Sequence, residues 1–209
     1  MCITPVFLYR RHIMSKLILA SASPRRKELL RNVGYEFSIE VCDLEENSDK
    51  TMPCELVMDL AKVKAKAIMD KHEGEDVIVL GADTVVANGD EILGKPRDLE
   101  HAKEMISSLQ GKTHQVYTGV CLWWNDGKLK QHLTFFEKTD VEVYPMTEEE
   151  IDAYVATKEC TDKAGSYAIQ GLFSPYIKGI SGDYNNVVGL PVARIYQEMK
   201  KLGLVVTND

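Results

Sequence analysis

Apolar residues along this chain fall into two patterns, short unbroken runs and stripes at helical spacing, separated by Gly, Pro and Asn punctuation. The first run, Leu17-Ile18-Leu19-Ala20, reads as a strand. Ser23 after it is a good N-cap and Pro24 suits the first helical position, so a helix is predicted from Pro24. Phe37 to Val41 reads as a short strand entering the acidic loop Asp43-Leu44-Glu45-Glu46-Asn47. Pro53 opens a helix expected to reach about Lys71, with Leu56, Val57, Leu60, Val63, Ala67 and Ile68 on one stripe. Val77 to Val86 is the most apolar stretch and reads as a central, buried strand. Asn88-Gly89 predicts a two-residue hairpin turn, with Glu91-Ile92-Leu93 returning.

The second half continues with a loop at Gly94-Lys95-Pro96-Arg97, a helix capped by Asp98 and ended by Gly111, and strands over Val116–Trp124 and Lys128–Val143 around a turn at Asp126-Gly127. Thr147 and Glu150 have capping-box spacing and open a helix with Ile151, Tyr154 and Val155 inward. Gly and Ser recur from Gly165 to Gly189, a composition expected of binding loops. Pro191 starts a last amphipathic helix carrying Val192, Ile195, Tyr196 and Met199. Helices interleaved with strands and hairpins imply an α/β fold with a mixed sheet covered by helices on both faces.

A chain of 209 residues with 44% apolar content fits one domain, or one domain with two lobes. Residues 14–209 are taken as that single domain, and 1–13 as a disordered extension or the product of an upstream start codon. The charge balance of 25 Lys+Arg against 32 Asp+Glu gives −7, with no basic block longer than three residues. That disfavours nucleic acid as a partner. An acidic protein that binds a polyanion needs a local cationic pocket or a divalent metal. Five dispersed cysteines without a C-x-x-C pair point to a reducing, cytoplasmic setting. No apolar run approaches about 18 residues, so no membrane span is expected, and Met1 to Arg11 puts its apolar part before its charges, the wrong order for a signal peptide.

Three features carry candidate chemistry. At Ser21-Ala22-Ser23-Pro24-Arg25-Arg26-Lys27, three cations fill the first helical turn, against the helix dipole. Backbone N–H groups and two guanidinium forks would hold phosphate there; the plainer alternative is a solvated basic helix start. Lys64 falls inside the apolar stripe of its helix, whereas Lys62 and Lys66 point away. A lysine so placed either meets an anion or snorkels along the helix edge. Asp83 sits in the Val77–Val86 run, where a carboxylate is strongly destabilising unless a metal ion or a lysine compensates it. A strand-end Asp bonded to loop amides is the alternative, and even that placement lies near the usual crevice of α/β sheets. The histidines show no i, i+4 pairing, so structural zinc is not expected. Asp83 with Glu45 and Glu46 would offer oxygen ligands to magnesium or manganese, although from these residues alone a solvated acidic loop is the favoured reading of that Glu pair. There is no P-loop, no G-x-G-x-x-G fingerprint and no G-x-S-x-G setting around Ser21 or Ser23. Trp123 and Trp124 are adjacent and read as packing on opposite strand faces.

Taken together, these segments resemble the Maf family of nucleoside triphosphate pyrophosphatases. The matching pieces are LILASASPRRKELL from Leu17 to Leu30, the Glu45-Glu46 loop, Leu60 to Ala65, Gly81 to Val86, Gly94 to Asp98, His114 to Val120, Asp162 to Gly171, and Val188 to Pro191, in order from about residue 16 to 203. The resemblance implies a mixed, strongly curved sheet bent around a deep cleft between two lobes, usually in a homodimer. It also implies hydrolysis of a nucleoside triphosphate to the monophosphate and pyrophosphate. By position, Asp83 resembles the family's proton acceptor and Arg25, Thr84 and Gln170 its specificity residues; Glu46, Lys64 and Lys95 match other cleft residues. The Arg25-Arg26 pair with Gln170 before a glycine resembles the branch acting on dTTP and UTP, whereas the 7-methyl-GTP branch shows Trp and Glu there. A neutral Gln both donates and accepts, which suits the O4/N3–H edge of uracil or thymine.

The mechanism expected from these residues has a divalent ion, Mg2+ or Mn2+, held by Glu46 and Asp83. Asp83 orients or deprotonates a water, and Arg25, Arg26, Lys64 and Lys95 neutralise the phosphate charge, with Ser21 and Ser23 nearby. Asp83 cannot be both a saturated metal ligand and a strong base. Three rivals stand beside this reading: a nucleotidyl or phosphoryl transferase, a 7-methyl-GTP-type pyrophosphatase, and a nucleotide-sensing regulator of septum formation and division.

Overall fold

The computed structural model describes residues 13–42, 47–125 and 129–206. Apart from Ile13, the expected N-terminal extension lies outside them, as do Glu45, Glu46 and the Asp126-Gly127 turn. The strands are β1 (Ile13–Leu19), β2 (Ser38–Ile39), β3 (Val77–Asn88), β4 (Glu91–Leu93), β5 (Thr113–Asn125), β6 (Lys130–Val143), β7 (Ile177–Ser181) and β8 (Leu204–Val206). The helices are α1 (Pro24–Asn32), α2 (Pro53–Met69), α3 (Leu99–Leu109), α4 (Glu148–Ala156), α5 (Tyr184–Val188) and α6 (Val192–Leu202). One strongly curved mixed sheet runs β2-β1-β3-β5-β6-β7, with β4 paired to β3 and β8 to β1. Pairs among β1, β2, β3 and β8 that involve β1 are parallel, and the long β3, β5 and β6 pair antiparallel.

Alternation along the strands builds two cores, one on each face. Leu17, Leu19, Ile78, Leu80 and Leu122 pack with Leu30 of α1 and Ile195 and Met199 of α6. On the other face Ile18, Val77, Val79 and Cys121 pack with Ala61, Ala65, Ile68 and Met69 of α2. A third core, at the far end of β3, gathers Val86 and Val116 with Ile106 and Leu109 of α3 and Ile151 and Tyr154 of α4. This far end forms the second lobe, as expected. Trp124 is buried on the α1/α6 face and Trp123 packs on the α2 face, stacked on His132 with ring centroids 4.4 Å apart.

The central strand, the α1 start, the Asp98 cap on the His101 N–H and the complete capping box at Thr147 all match the sequence expectation. The differences have physical reasons. The buried face of α2 is turned toward its alanines: Ala61 and Ala65 are buried, while Leu56, Val63 and Ala67 are half-buried. A Cβ on Gly81 would overlap the carbonyl of Ala61 and stand 2.8 Å from the Ala65 Cβ, and one on Gly119 would overlap the Val57 carbonyl, so small residues on both sides let helix and sheet touch backbone to backbone. β2 spans two residues because only β1 pairs with it. The first hairpin turn is Gly89-Asp90, one residue beyond the expected position, with Asn88 still paired to Glu91. Tyr196 is exposed because Val192, Ile195 and Met199 already fill the inner face of α6. β7, α5 and β8, short segments within or after Gly-rich sequence, carry too few residues to show a period.

The α2 contact predicts that Gly119→Ala lowers stability by about 3 kcal/mol, roughly 6–12 °C in Tm; an unchanged thermal melt would show that helix and sheet are not pressed together there. His114 supplies a second test. Its ring is fully buried, with Nε2 2.7 Å from the Tyr167 hydroxyl, and burial pushes its pKa down to about 4. The unfolded chain, titrating near 6.5, then binds a proton that the native state rejects, so stability rises with pH between about 4 and 6.5. That window is worth about 3 kcal/mol, and His114→Gln is expected to flatten the Tm-versus-pH curve across it.

Candidate active site

The cleft forms where β3 has a strand on one side only. Pairing with β1 stops at Leu80 and pairing with β4 starts at Val86, so Gly81 to Val85 present an open edge just past the carboxyl end of β1. Such a position is where open α/β sheets bind ligands. A cavity of about 750 Å³ lies over this edge, within the usual range for small-molecule sites. Ser21, Ser23, Arg25, Arg26, Lys64, Asp83, Thr84, Lys95 and Gln170 all line it, so every expected site residue that is described is brought together. Glu46 lies outside the described residues.

Strand alternation sends Asp83 toward α2 and Thr84 to the opposite face, toward α1. On the α2 side, Lys64 Nζ donates to Asp83 Oδ1 at 2.6 Å, with side-chain exposures of 19% and 13%. The lysine therefore meets an anion, and the buried carboxylate meets a cation, each removing the other's desolvation problem. The close approach of α2 at Gly81 and Gly119 sets this distance, since Lys64 stands between Ala61 and Ala65, and Gly119 is the β5 partner of Asp83. Asp83 Oδ2 makes no hydrogen bond among the described residues.

On the α1 side, Arg26 braces the cleft wall. Its Nε donates to the Gly189 carbonyl at 2.9 Å, and its two terminal nitrogens donate to Ser21 Oγ and Thr84 Oγ1, both at 3.0 Å. Thr84 Oγ1 also lies 2.9 Å from Thr118 Oγ1, and Thr118 donates to the Asn186 carbonyl at 3.0 Å. Because the single Thr118 proton goes to that carbonyl, the Thr84 hydroxyl donates inward and offers the cleft only acceptor character. Ser21 is thus a clamp member, and its hydroxyl also accepts the Ser23 N–H at 3.3 Å. Ser23 sits at the N-cap position of α1, but its side chain makes no capping bond.

No acidic residue occupies the first turn of α1, which presents Arg25 to the cavity. Arg25 reaches across to Asp162 at 3.5 Å, a contact with one partner largely in solvent. Lys95 and Gln170 make no side-chain hydrogen bond among the described residues and remain free to meet a ligand. Among the lining residues, five cations (Arg25, Arg26, Lys64, Lys95, Lys163) face two carboxylates (Asp83, Asp162), although the chain as a whole carries −7. A low-dielectric cleft of that sign concentrates anions. No cluster of three or more His, Cys, Asp or Glu among the described residues could hold a metal. A hard divalent ion here would bind Asp83 together with oxygens of the ligand, which suits the donor present.

Sequence reasoning did not single out Thr118, Asn186 or Lys163. Asn186 is fully buried, with Nδ2 donating to the Val116 carbonyl and to Thr139 Oγ1; an amide directly before the apolar Val187-Val188 was the available signal.

Residues 16–202 match the family described as Maf-like protein. A dTTP/UTP pyrophosphatase of Agathobacter rectalis is 52% identical over 206 residues, covering 92% of this chain and 100% of that protein. One from Lachnoclostridium phytofermentans is 48% identical over 192 residues, covering 91% of this chain and 97% of that protein. Among solved structures, the Ham1 protein of Staphylococcus aureus aligns with 90% of this chain and 99% of its own at 12% identity and a TM-score of 0.49.

Arg26→Lys removes a fork that a single ammonium cannot reproduce at three separated acceptors. The substitution is expected to cost about 2–3 kcal/mol, read as a fall of several degrees in Tm; an unmoved melt would show that the clamp does not hold the cleft wall.

Proposed function

Because the chain belongs to the Maf-like protein family, we propose that it hydrolyses dTTP and UTP to the nucleoside monophosphate and pyrophosphate. The observation that carries this reading is the Lys64–Asp83 pair at 2.6 Å on the floor of a cationic cavity. The names of relatives about half identical, dTTP/UTP pyrophosphatase, supply the substrate class.

The chemistry follows from the placement of these groups. Arg25, at the first turn of α1, and Lys95, on the loop after β4, take the phosphate oxygens, and Arg26 adds its charge from a guanidinium already braced. With Oδ1 held by Lys64, Asp83 offers Oδ2 to the attacking water and accepts its proton. The water's oxygen attacks the α-phosphorus, the α–β anhydride bond breaks, and pyrophosphate leaves. Lys64 fixes which carboxylate oxygen faces the substrate. Asp83 and Glu46 would hold a divalent cation, magnesium or manganese, which supplies further neutralisation of the triphosphate and acidifies bound water. Gln170 reads the pyrimidine, donating to O4 and accepting from N3–H, while Thr84 contributes an acceptor beside it. A homodimer working in the cytoplasm completes the reading; the four cysteines among the described residues are all free thiols, in keeping with a reducing compartment. No described helix is long and apolar enough to cross a membrane.

Asp83→Asn keeps the shape and removes the proton acceptor. Pyrophosphate release from dTTP and UTP is expected to fall at least about 10³-fold, with the thermal melt shifted by no more than a few degrees. Release at the wild-type rate, or a substrate panel in which 7-methyl-GTP outruns both pyrimidine nucleotides, would overturn the assignment.

A further inference from the structure

Gln170 stands at the cleft in the connection from α4 to β7, between 3₁₀ turns at Ala164–Ser166 and Ser174–Tyr176, so something other than an α-helix or strand must fix its position. That something is Glu159. Both carboxylate oxygens of Glu159 accept the Leu172 N–H at 3.0 Å, two residues past Gln170. The loop rests directly on this carboxylate: a Cβ at Gly171 would overlap both of its oxygens and lie 2.5 Å from its Cδ. The buried Tyr154 hydroxyl lies 3.4 Å from Glu159 Oε1 and 3.2 Å from the Ser166 carbonyl, tying the carboxylate to α4. Lys163 Nζ donates to the Glu159 carbonyl at 2.5 Å and to Asp162 Oδ1 at 2.7 Å, which holds the same turn from the cleft side. Left-handed backbone at Lys158 (φ 62°) and Ser166 (φ 64°) flanks the turn that carries Glu159, a conformation that persists at non-glycine residues only where surroundings impose it.

Glu159 itself does not line the cavity, whereas Ala168, Ile169 and Gln170 do. We infer that Glu159 is a positioning residue for substrate selection: its carboxylate, seated under the Cβ-less Gly171, sets the height and register at which Gln170 meets the base. The inference rests on the reading of Gln170 as the group that recognises uracil or thymine.

The test is the ratio of kcat/KM for UTP over CTP, because CTP presents an amino donor and a bare N3 acceptor where UTP presents O4 and N3–H. In Glu159→Ala the ratio is expected to fall about tenfold, through a higher KM for UTP with kcat and the CTP reaction little changed. Glu159→Gln, whose amide oxygen still accepts the Leu172 N–H, restores most of it. Gly171→Ala, which expels the carboxylate without removing it, reproduces the loss and serves if Glu159→Ala does not fold. Added to Gln170→Ala, Glu159→Ala changes the ratio no further. Equal losses for UTP and CTP in both Glu159→Ala and Gly171→Ala would mark a merely structural role and overturn the inference, as would a further drop in the double variant. A normal ratio in Gln170→Ala would remove the base-reading premise, and with it this inference; a collapsed ratio in Gln170→Ala beside a normal one in Glu159→Ala would sink the inference alone.

Discussion

Lys64 and Asp83 meet at 2.6 Å in a part of the molecule where neither charge would be tolerated by itself, and much of the surrounding architecture can be traced to that contact. For a lysine on α2 to reach a carboxylate on β3, the helix must lie almost against the sheet, and it does so with Ala61 and Ala65 over Gly81 and the Val57 backbone over Gly119. That closeness explains why alanines, Ala61 and Ala65, stand at the point of contact although Val57, Leu60, Ile68 and Met69 are buried on the same helix. The pair thus links a packing rule, small residues at a backbone-to-backbone approach, with the presence of an ionised acid in an apolar strand.

The other wall of the cleft is built on a different principle. Arg26 is braced by three protein acceptors, and a directional chain runs from its guanidinium through Thr84 and Thr118 to a buried backbone carbonyl. Fixed dipoles and a fixed cation of this kind need no rearrangement when an anion arrives, the condition under which electrostatic stabilisation is strongest. The more exposed Lys95 and Gln170, and Arg25 on the first turn of α1, also line the cavity.

Sequence periodicity located the long elements well, because β3, α2, α3 and α4 each bury enough side chains to leave a recognisable rhythm or carry explicit caps. It placed Asp83 and Lys64 by the same means: each is a charge out of place in an apolar pattern, and such a breach is visible without coordinates. Their mutual contact, across 19 positions, was not visible, because it depends on a helix-to-sheet distance that two glycines control. Neither was the clamp around Arg26, whose acceptors come from three separate segments and include a main-chain carbonyl, which carries no residue identity. Glu159 was hidden for a similar reason: in a turn, a glutamate that supports a loop looks like any solvated acid until its partner N–H is known.

The gap in strand pairing from Gly81 to Val85 has a bearing beyond ligand binding. Unpaired strand backbone invites other chains to add on, and many proteins guard against this with charges, prolines or short edges. Here the bare stretch is hemmed in by β1 at one end and β4 at the other, and it carries an acid at its midpoint. The floor of the cleft and a safeguard against sticky self-association therefore fall on the same five residues, which gives this chain a second reason to keep a charge where oil-like side chains would pack better.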